Sequence, residues 1–430
     1  MNHNSPIWRP FTQMKTADLP LKVKSGNGVW LELEDGRRIL DCISSWWVTI
    51  HGHAHPALAE ALYQQAKQLE HVIFAGFTHT PAEQLAQKLL THLPANLTRI
   101  FFSDNGSTAV EVALKMAYQY WLNRGETGRD RFIGFEGGYH GDTIGAMSIG
   151  SSSPWWQTFH PLLFEKIDIV PFPATFDGDE QVEFKEKETL DKVKFMLDEK
   201  SDRYAGIFIE PLIQGAGGMR MCRPQFLQAL EQIARQFEVL LIYDEAMTGF
   251  GRTGELFASN KSATTPDILC LSKGLSGGCL PLAVTVATEA IYQEFYSNEA
   301  AKAFYHGHSY TGNPLACATA VTSLNLLEEK PQSFQKMEIL HRRYLEKWLE
   351  GHPRIEKMRV CGTIAAMEII TEETDGYFNT IGSVLRSRFL DAGFLLRPLG
   401  NTIYIMPPYC ITPDELESVY QAISRVIGNG

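Results

Sequence analysis

Val239-Leu-Leu-Ile-Tyr-Asp-Glu245 and Pro266-Asp-Ile-Leu-Cys-Leu-Ser-Lys-Gly274 decide how this chain folds. Each contains a short apolar run, rich in Leu, Ile and Val, that stops at a polar residue, which is the pattern of a buried strand. Asp244 and Lys273 stand at the two stops, 29 residues apart. Ligands of an open α/β sheet bind at the carboxyl ends of strands, so an acid and an amine are expected to share one crevice. Such a pair suits pyridoxal 5'-phosphate. The lysine forms a Schiff base with the cofactor aldehyde, and the carboxylate keeps the ring nitrogen protonated, which makes the ring an electron sink. Taken alone, the two residues fit equally well a strand-end Asp and a surface Lys with no shared purpose.

Outward from this pair, helical patterns alternate with short apolar runs at 99–103, 131–135, 206–210, 239–244 and 268–272. The alternation predicts an α/β fold: a large domain with a mostly parallel sheet between helices, over 56–315. Residues 1–55 read as an arm plus part of a smaller α+β domain. Gly28 to Leu40 alternates apolar and polar residues around Asp35-Gly36, a hairpin signal. Residues 316–430 supply the rest of the smaller domain, with helices expected at 315–329 and 413–427. The charged stretch 174–203 reads as a peripheral insertion with one helix near 185–198.

The 430 residues carry a net charge of −11, which argues against a nucleic-acid or anionic-membrane surface. No stretch reaches membrane-spanning length and the first residues lack an apolar signal core, so the expected location is cytoplasmic. The seven cysteines are scattered without C-x-x-C spacing, as free thiols in a reducing compartment would be.

Ile100-Phe-Phe-Ser-Asp-Asn-Gly106-Ser-Thr-Ala-Val110 reads as strand, tight turn and helix. Val110, Ala113, Leu114, Ala117 and Trp121 share one helical face. Gly106 permits close backbone approach, and Ser107 and Thr108 can cap the helix. Its free N–H groups and positive dipole end suit a phosphate, although an ordinary capped helix has the same signature. Two other motifs carry less. Gly249-Phe-Gly-Arg-Thr-Gly254 matches a dinucleotide-loop pattern but follows a strand without opening a helix, so a tight loop lining the crevice is expected. His51-Gly-His-Ala-His55 lacks an acidic or Cys partner nearby and no metal is expected there.

Asp244-Glu-Ala-Met-Thr-Gly-Phe-Gly-Arg-Thr-Gly254, the Pro266–Gly278 stretch, Gly138-Tyr-His-Gly-Asp-Thr143 and Thr311-Gly-Asn-Pro-Leu-Ala-Cys-Ala318 resemble the class III, fold-type-I pyridoxal phosphate aminotransferases. The likeness runs nearly end to end. Ile7-Trp-Arg-Pro-Phe-Thr-Gln-Met14, Ser44-Ser-Trp-Trp-Val-Thr-Ile-His-Gly-His53 and Leu396-Arg-Pro-Leu-Gly-Asn-Thr-Ile-Tyr-Ile-Met-Pro-Pro408 narrow it to one branch. That branch aminates 8-amino-7-oxononanoate in biotin biosynthesis with S-adenosyl-L-methionine as amino donor.

The resemblance implies roles. Lys273 is expected as the Schiff-base lysine and proton shuttle, and Asp244 as the partner of the ring nitrogen. Gly106 and Ser107 would hold the phosphate, and Tyr139 would lie against the cofactor ring. Trp46 would wall the substrate pocket, with Phe11 near it, and Arg397 would bind the acceptor's carboxylate, for which its planar fork is suited. If Trp46-Trp47 is extended, only one of the two rings is expected to meet substrate. Gly307, His308 and Ser309 would reach phosphate and substrate across a homodimer interface. Arg252 is expected in a structural salt bridge near the cleft.

Two positions depart from the branch. Phe11 stands where many members have a Tyr, and its ring cannot donate a hydrogen bond. His308-Ser309 stands where Pro-Thr is common. Both features resemble relatives that use lysine as amino donor, so the same acceptor with lysine, or another class III ω-aminotransferase, is the alternative reading.

Overall fold

The computed structural model describes residues 5–150, 154–376 and 379–428. The extreme ends of the expected arm and tail therefore lie outside the described residues.

A seven-stranded sheet forms the centre. Its order is Leu97–Ser103, Ala283–Thr288, Ile268–Leu271, Leu240–Asp244, Tyr204–Ile209, Arg131–Phe135 and Ile167–Val170. The four strands Tyr204–Ile209, Leu240–Asp244, Ile268–Leu271 and Ala283–Thr288 are buried at every position. That explains why they read as continuous apolar runs without alternation: both faces of the sheet are covered by helices. Pairing is parallel through most of the sheet. Ala283–Thr288 is the exception, antiparallel to both of its neighbours.

Asp244 pairs with Cys270 in register. Asp244 and Lys273 consequently leave the sheet at the same end, as their positions at the stops of two parallel runs predict. The helix Gly106–Asn123 buries Val110, Ala113, Leu114, Ala117 and Trp121 against the sheet. Its cap differs from the expectation. Asn105 is the N-cap, accepting from the Thr108 amide at 3.0 Å, while the Thr108 hydroxyl accepts from the Asn105 amide at 3.2 Å. This reciprocal box leaves the Ser107 hydroxyl free to accept from the Asp142 amide at 3.2 Å.

A second sheet pairs Val23–Asn27, Trp30–Leu33 and Arg38–Asp41 as antiparallel neighbours. Phe394–Leu395 joins its edge in parallel, so the two ends of the chain share one sheet. A third sheet of Ile355–Cys361, Ile364–Ile369 and Thr402–Ile405 carries helix Met337–Leu349, on which helix Pro413–Gly428 packs. The buried His341 and Tyr420 join those helices through a 2.6 Å hydrogen bond. The charged stretch holds one α-helix, Val182–Lys200, longer than expected. It docks through Glu186, paired with Arg223 at 2.6 Å.

Candidate active site

A cavity of about 580 Å³ opens where the carboxyl ends of the central strands meet the smaller sheets. Gly106, Ser107, Tyr139, Asp244, Lys273, Trp46, Arg397 and Phe11 all line it. Gly307, His308 and Ser309 do not. Within one chain that loop lies elsewhere on the surface, with His308 bonded to the Thr311 hydroxyl and the Tyr310 amide.

Lys273 begins a single helical turn directly after its strand, with φ at +45°, a left-handed conformation uncommon for a side-chain-bearing residue. Its Nζ lies 5.3 Å from the centre of the Trp47 ring. Burial pushes its ammonium below the ordinary lysine range, against the opposing pull of Asp244 and Glu210. A buried amine with that bias is disposed to lose its proton and act as a nucleophile or base.

Asp244 ends its strand with one carboxylate oxygen on the Ala246 amide at 3.0 Å and the other on His140 Nδ1 at 2.8 Å. Burial would depress the His140 imidazole, but the Asp244 hydrogen bond and the charges of Asp244 and Glu210 carry it above its ordinary value. Its Nε2 is buried without a partner among the described residues. Glu210 sits one residue beyond its own strand and accepts from the Tyr139 and Gly215 amides, each at 3.0 Å. Burial raises its carboxyl to about 7, with His140 opposing and Asp244 adding to the rise.

At the anion end, the amides of Gly106 and Ser107 open the helix and take no partner among the described residues. A Cβ on Gly106 would come within 3.3 Å of Ala246 Cβ, so the missing side chain keeps the cradle open. A helix N-terminus with free amides, a buried carboxylate and a buried amine on one cavity match the phosphate, ring nitrogen and aldehyde of pyridoxal phosphate. The residues present fit that cofactor.

At the mouth, the Arg397 guanidinium lies 4.8 Å above the Trp46 ring, and Phe11 packs 5.6 Å from the same ring. Trp47 was expected to turn away, yet it also lines the cavity and donates from Nε1 to the Tyr404 hydroxyl at 3.0 Å. The reason is the backbone. Ser44–Trp47 is a kinked turn, not an extended strand, so adjacent side chains no longer alternate. Tyr139 donates its hydroxyl to Asp142 at 2.9 Å. Arg252 is fully buried behind the site and donates to the carbonyls of Pro407 and Trp47 at 3.0 and 3.2 Å. It takes carbonyls where a carboxylate was expected.

Sequence reasoning assigned no role to His140, Glu210, Asp142 or Tyr404. His140 and Asp142 lie in the quoted Gly138–Thr143 motif, and Glu210 is a polar stop after an apolar run, the signal that singled out Asp244.

The family model for class III aminotransferases matches residues 12–427. The chain is 53% identical over 421 residues to the adenosylmethionine-8-amino-7-oxononanoate aminotransferase of Synechococcus elongatus, covering 98% of each chain. Among solved structures, the enzyme of the same name from Methanocaldococcus jannaschii superposes with a TM-score of 0.91 at 34% identity, covering 99% of this chain and 97% of that one. An amine transaminase from an uncultivated Pseudomonas species, solved with pyridoxal phosphate bound, gives 0.92 at 28% identity and covers 99% of each chain.

Proposed function

The chain belongs to the class III aminotransferases, pyridoxal phosphate enzymes of the fold-type-I architecture, and from that premise we propose that it transfers the amino group of S-adenosyl-L-methionine to 8-amino-7-oxononanoate. The product is 7,8-diaminononanoate, an intermediate of biotin biosynthesis. The observation that carries this reading is the arrangement of one cavity: Lys273 and Asp244 at its floor, and Arg397 held over Trp46 at its mouth.

Bound cofactor supplies an electron sink that makes the donor's Cα–H acidic. Gly106 and Ser107 would hold the phosphate with their amides, and Asp244 would hold the ring nitrogen in its charged form. Tyr139 would cover the ring, and it is fixed by Asp142 through its hydroxyl and by Glu210 through its amide. Lys273 would hold the cofactor through Nζ until the donor's amine displaces it, and the freed Nζ would then take the proton from the donor's Cα and give it back in the shift that completes the transfer. One group must do both, because transamination is a proton shift between two carbons. Arg397 takes the acceptor's carboxylate in a bidentate, charge-assisted pair. Trp46, Trp47 and Phe11 exclude water from the carbon that receives the nitrogen.

Gly307, His308 and Ser309 serve the site of a second subunit in this reading, which makes the enzyme a homodimer. The cytoplasm is the compartment that keeps its seven free cysteines reduced. No described helix is long and apolar enough to cross a membrane.

A second reading keeps the acceptor and replaces the donor with lysine, and Phe11 with His308-Ser309 favours it. One half-reaction separates the two. The purified yellow protein is mixed with S-adenosyl-L-methionine or with lysine, without acceptor, and its visible absorbance is followed. Bleaching by S-adenosyl-L-methionine, reversed by 8-amino-7-oxononanoate, is expected. Bleaching by lysine alone moves the donor assignment, and no response to either points to another class III ω-aminotransferase.

A further inference from the structure

The Ser44–Trp47 turn is the most strained segment near the site. Ser44, Ser45 and Trp47 have φ of +51°, +58° and +69°, and none is glycine. Such conformations are costly for L residues and persist only where the surroundings over-determine them. Here they aim both tryptophans into the cavity.

The element that over-determines the turn is a buried carboxylate hydrogen-bonded to an imidazole. Asp41 is fully buried at the end of its strand. Its Oδ1 accepts from the Ile43 amide at 3.1 Å. Its Oδ2 accepts from the Ser45 amide at 2.7 Å and the Ser45 hydroxyl at 3.2 Å, and it lies 2.8 Å from His53 Nε2. Three of these four contacts belong to the entry of the strained turn. The fourth comes from His53, whose backbone is clamped to Gly28 in both directions. A Cβ on Gly26 would stand 2.7 Å from His53 Cβ, so the chain leaves room for this ring by having no side chain there.

The central histidine of the His51-x-His53-x-His55 motif thus has a partner and a geometry. His51 points elsewhere, to the Ser323 hydroxyl at 2.9 Å.

We propose that Asp41 and His53 are positioning residues for the acceptor-binding wall, acting through the Ser44–Trp47 turn to hold Trp46 beneath Arg397. His53 completes the carboxylate's hydrogen-bond set, the carboxylate pins the Ser45 backbone in its left-handed conformation, and Trp46 follows from that backbone. Neither residue lines the cavity. Losing the pair loosens the wall while the floor at Lys273 stays in place. The inference rests on the reading of Arg397 and Trp46 as the acceptor's carboxylate site.

The test is steady-state kinetics of the holoenzyme with the acceptor varied at saturating donor, together with melting temperature. His53→Ala is expected to raise the acceptor KM about tenfold, the worth of one charge-assisted hydrogen bond, with kcat changed less than about threefold. His53→Gln, whose amide can donate to Asp41, is expected to recover most of the loss. His53→Asn, too short to reach, gives the same reading as alanine should the alanine chain not fold. An unchanged acceptor KM in both His53→Ala and His53→Asn, with Arg397→Ala still raising it, overturns the proposal. So does a parallel fall of kcat and melting temperature that His53→Gln does not repair, because the role would then be structural. If Arg397→Ala leaves the acceptor KM unchanged, the carboxylate site itself is misassigned and the inference falls with it.

Discussion

His140 Nδ1 lies 2.8 Å from Asp244 Oδ2, with both side chains buried. The contact places a proton on Nδ1, facing the carboxylate that is proposed to hold the cofactor's ring nitrogen. Glu210 adds a third ionisable group to the same cluster and is felt by both His140 and Lys273. The floor of the site is therefore an interacting set of ionisable groups, in which burial biases both Lys273 and Glu210 toward their neutral forms.

Lys273→Ala tests the centre of the reading. The fold is expected to survive, because the change removes an amine that makes no hydrogen bond among the described residues and leaves the preceding strand intact. Turnover is expected to drop by on the order of 10³-fold or more, the scale of a lost proton-transfer group that is also the covalent anchor. Circular dichroism and turnover on one preparation check both halves. Wild-type turnover by the variant would remove Lys273 from the mechanism.

Glu210 gives a pH prediction. Its carboxyl moves from 4.5 to about 7 on folding. A carboxyl raised on folding makes the folded state the better proton binder between those values. Its contribution is thus most favourable below the unfolded value and is lost as pH rises toward 7. The whole interval is worth on the order of 3 kcal/mol. The cofactor-free protein should lose stability between about pH 4.5 and pH 7, and Glu210→Gln should flatten that slope. The slope is the readout, because the amide leaves one of the Tyr139 and Gly215 donors unmatched and lowers stability at every pH. Urea midpoints of both proteins across the window decide it, and parallel curves would refute the assignment.

The Asp244–Lys273 pairing was legible because both residues end apolar runs whose length and flanks mark buried parallel strands. The direction of Ala283–Thr288 was not, since an apolar run carries no sign of its polarity. The wall of the site was hardest to read. Ser44, Ser45 and Trp47 are residue types that do not themselves favour positive φ, and their conformation is imposed by Asp41 four residues before Ser45 and by the Arg252 and Met406 contacts, both distant in sequence. The turn brings in Trp47, which an extended reading had turned away. His140 and Glu210 had signals in plain view, one inside a quoted motif and one at a strand stop, but their pairing with Asp244 exists only once the strands are side by side.

Ser309 tests the second subunit. Ser309→Asp puts a carboxylate where the partner's phosphate is proposed to sit, so it should inactivate a homodimer by like-charge repulsion. Mixed and reassociated with Lys273→Ala subunits, it should yield heterodimers with one intact site of two. About a quarter of wild-type activity is then expected from equal amounts, given random pairing in a two-fold dimer. A mixture no more active than its parents would mean that each chain builds its site alone.

Phe11 is the residue on which the donor question turns. It lies at the mouth of the cavity, 48% exposed in the single chain, with φ at +48° and its ring 5.6 Å from Trp46. Its position already lets it close over substrate, so the missing feature is a donor, not a contact. Phe11→Tyr adds one hydroxyl at the ring's far end with little other change. A new neutral hydrogen bond to substrate is worth about 0.5–1.5 kcal/mol, or roughly two- to tenfold in rate constant over KM. That gain is expected in the half-reaction with S-adenosyl-L-methionine, with the response to lysine unchanged. A gain with lysine alone would assign Phe11 to the lysine-using relatives. Equal rates before and after substitution would mean that this ring acts only by packing on Trp46 and that the donor is chosen elsewhere in the wall.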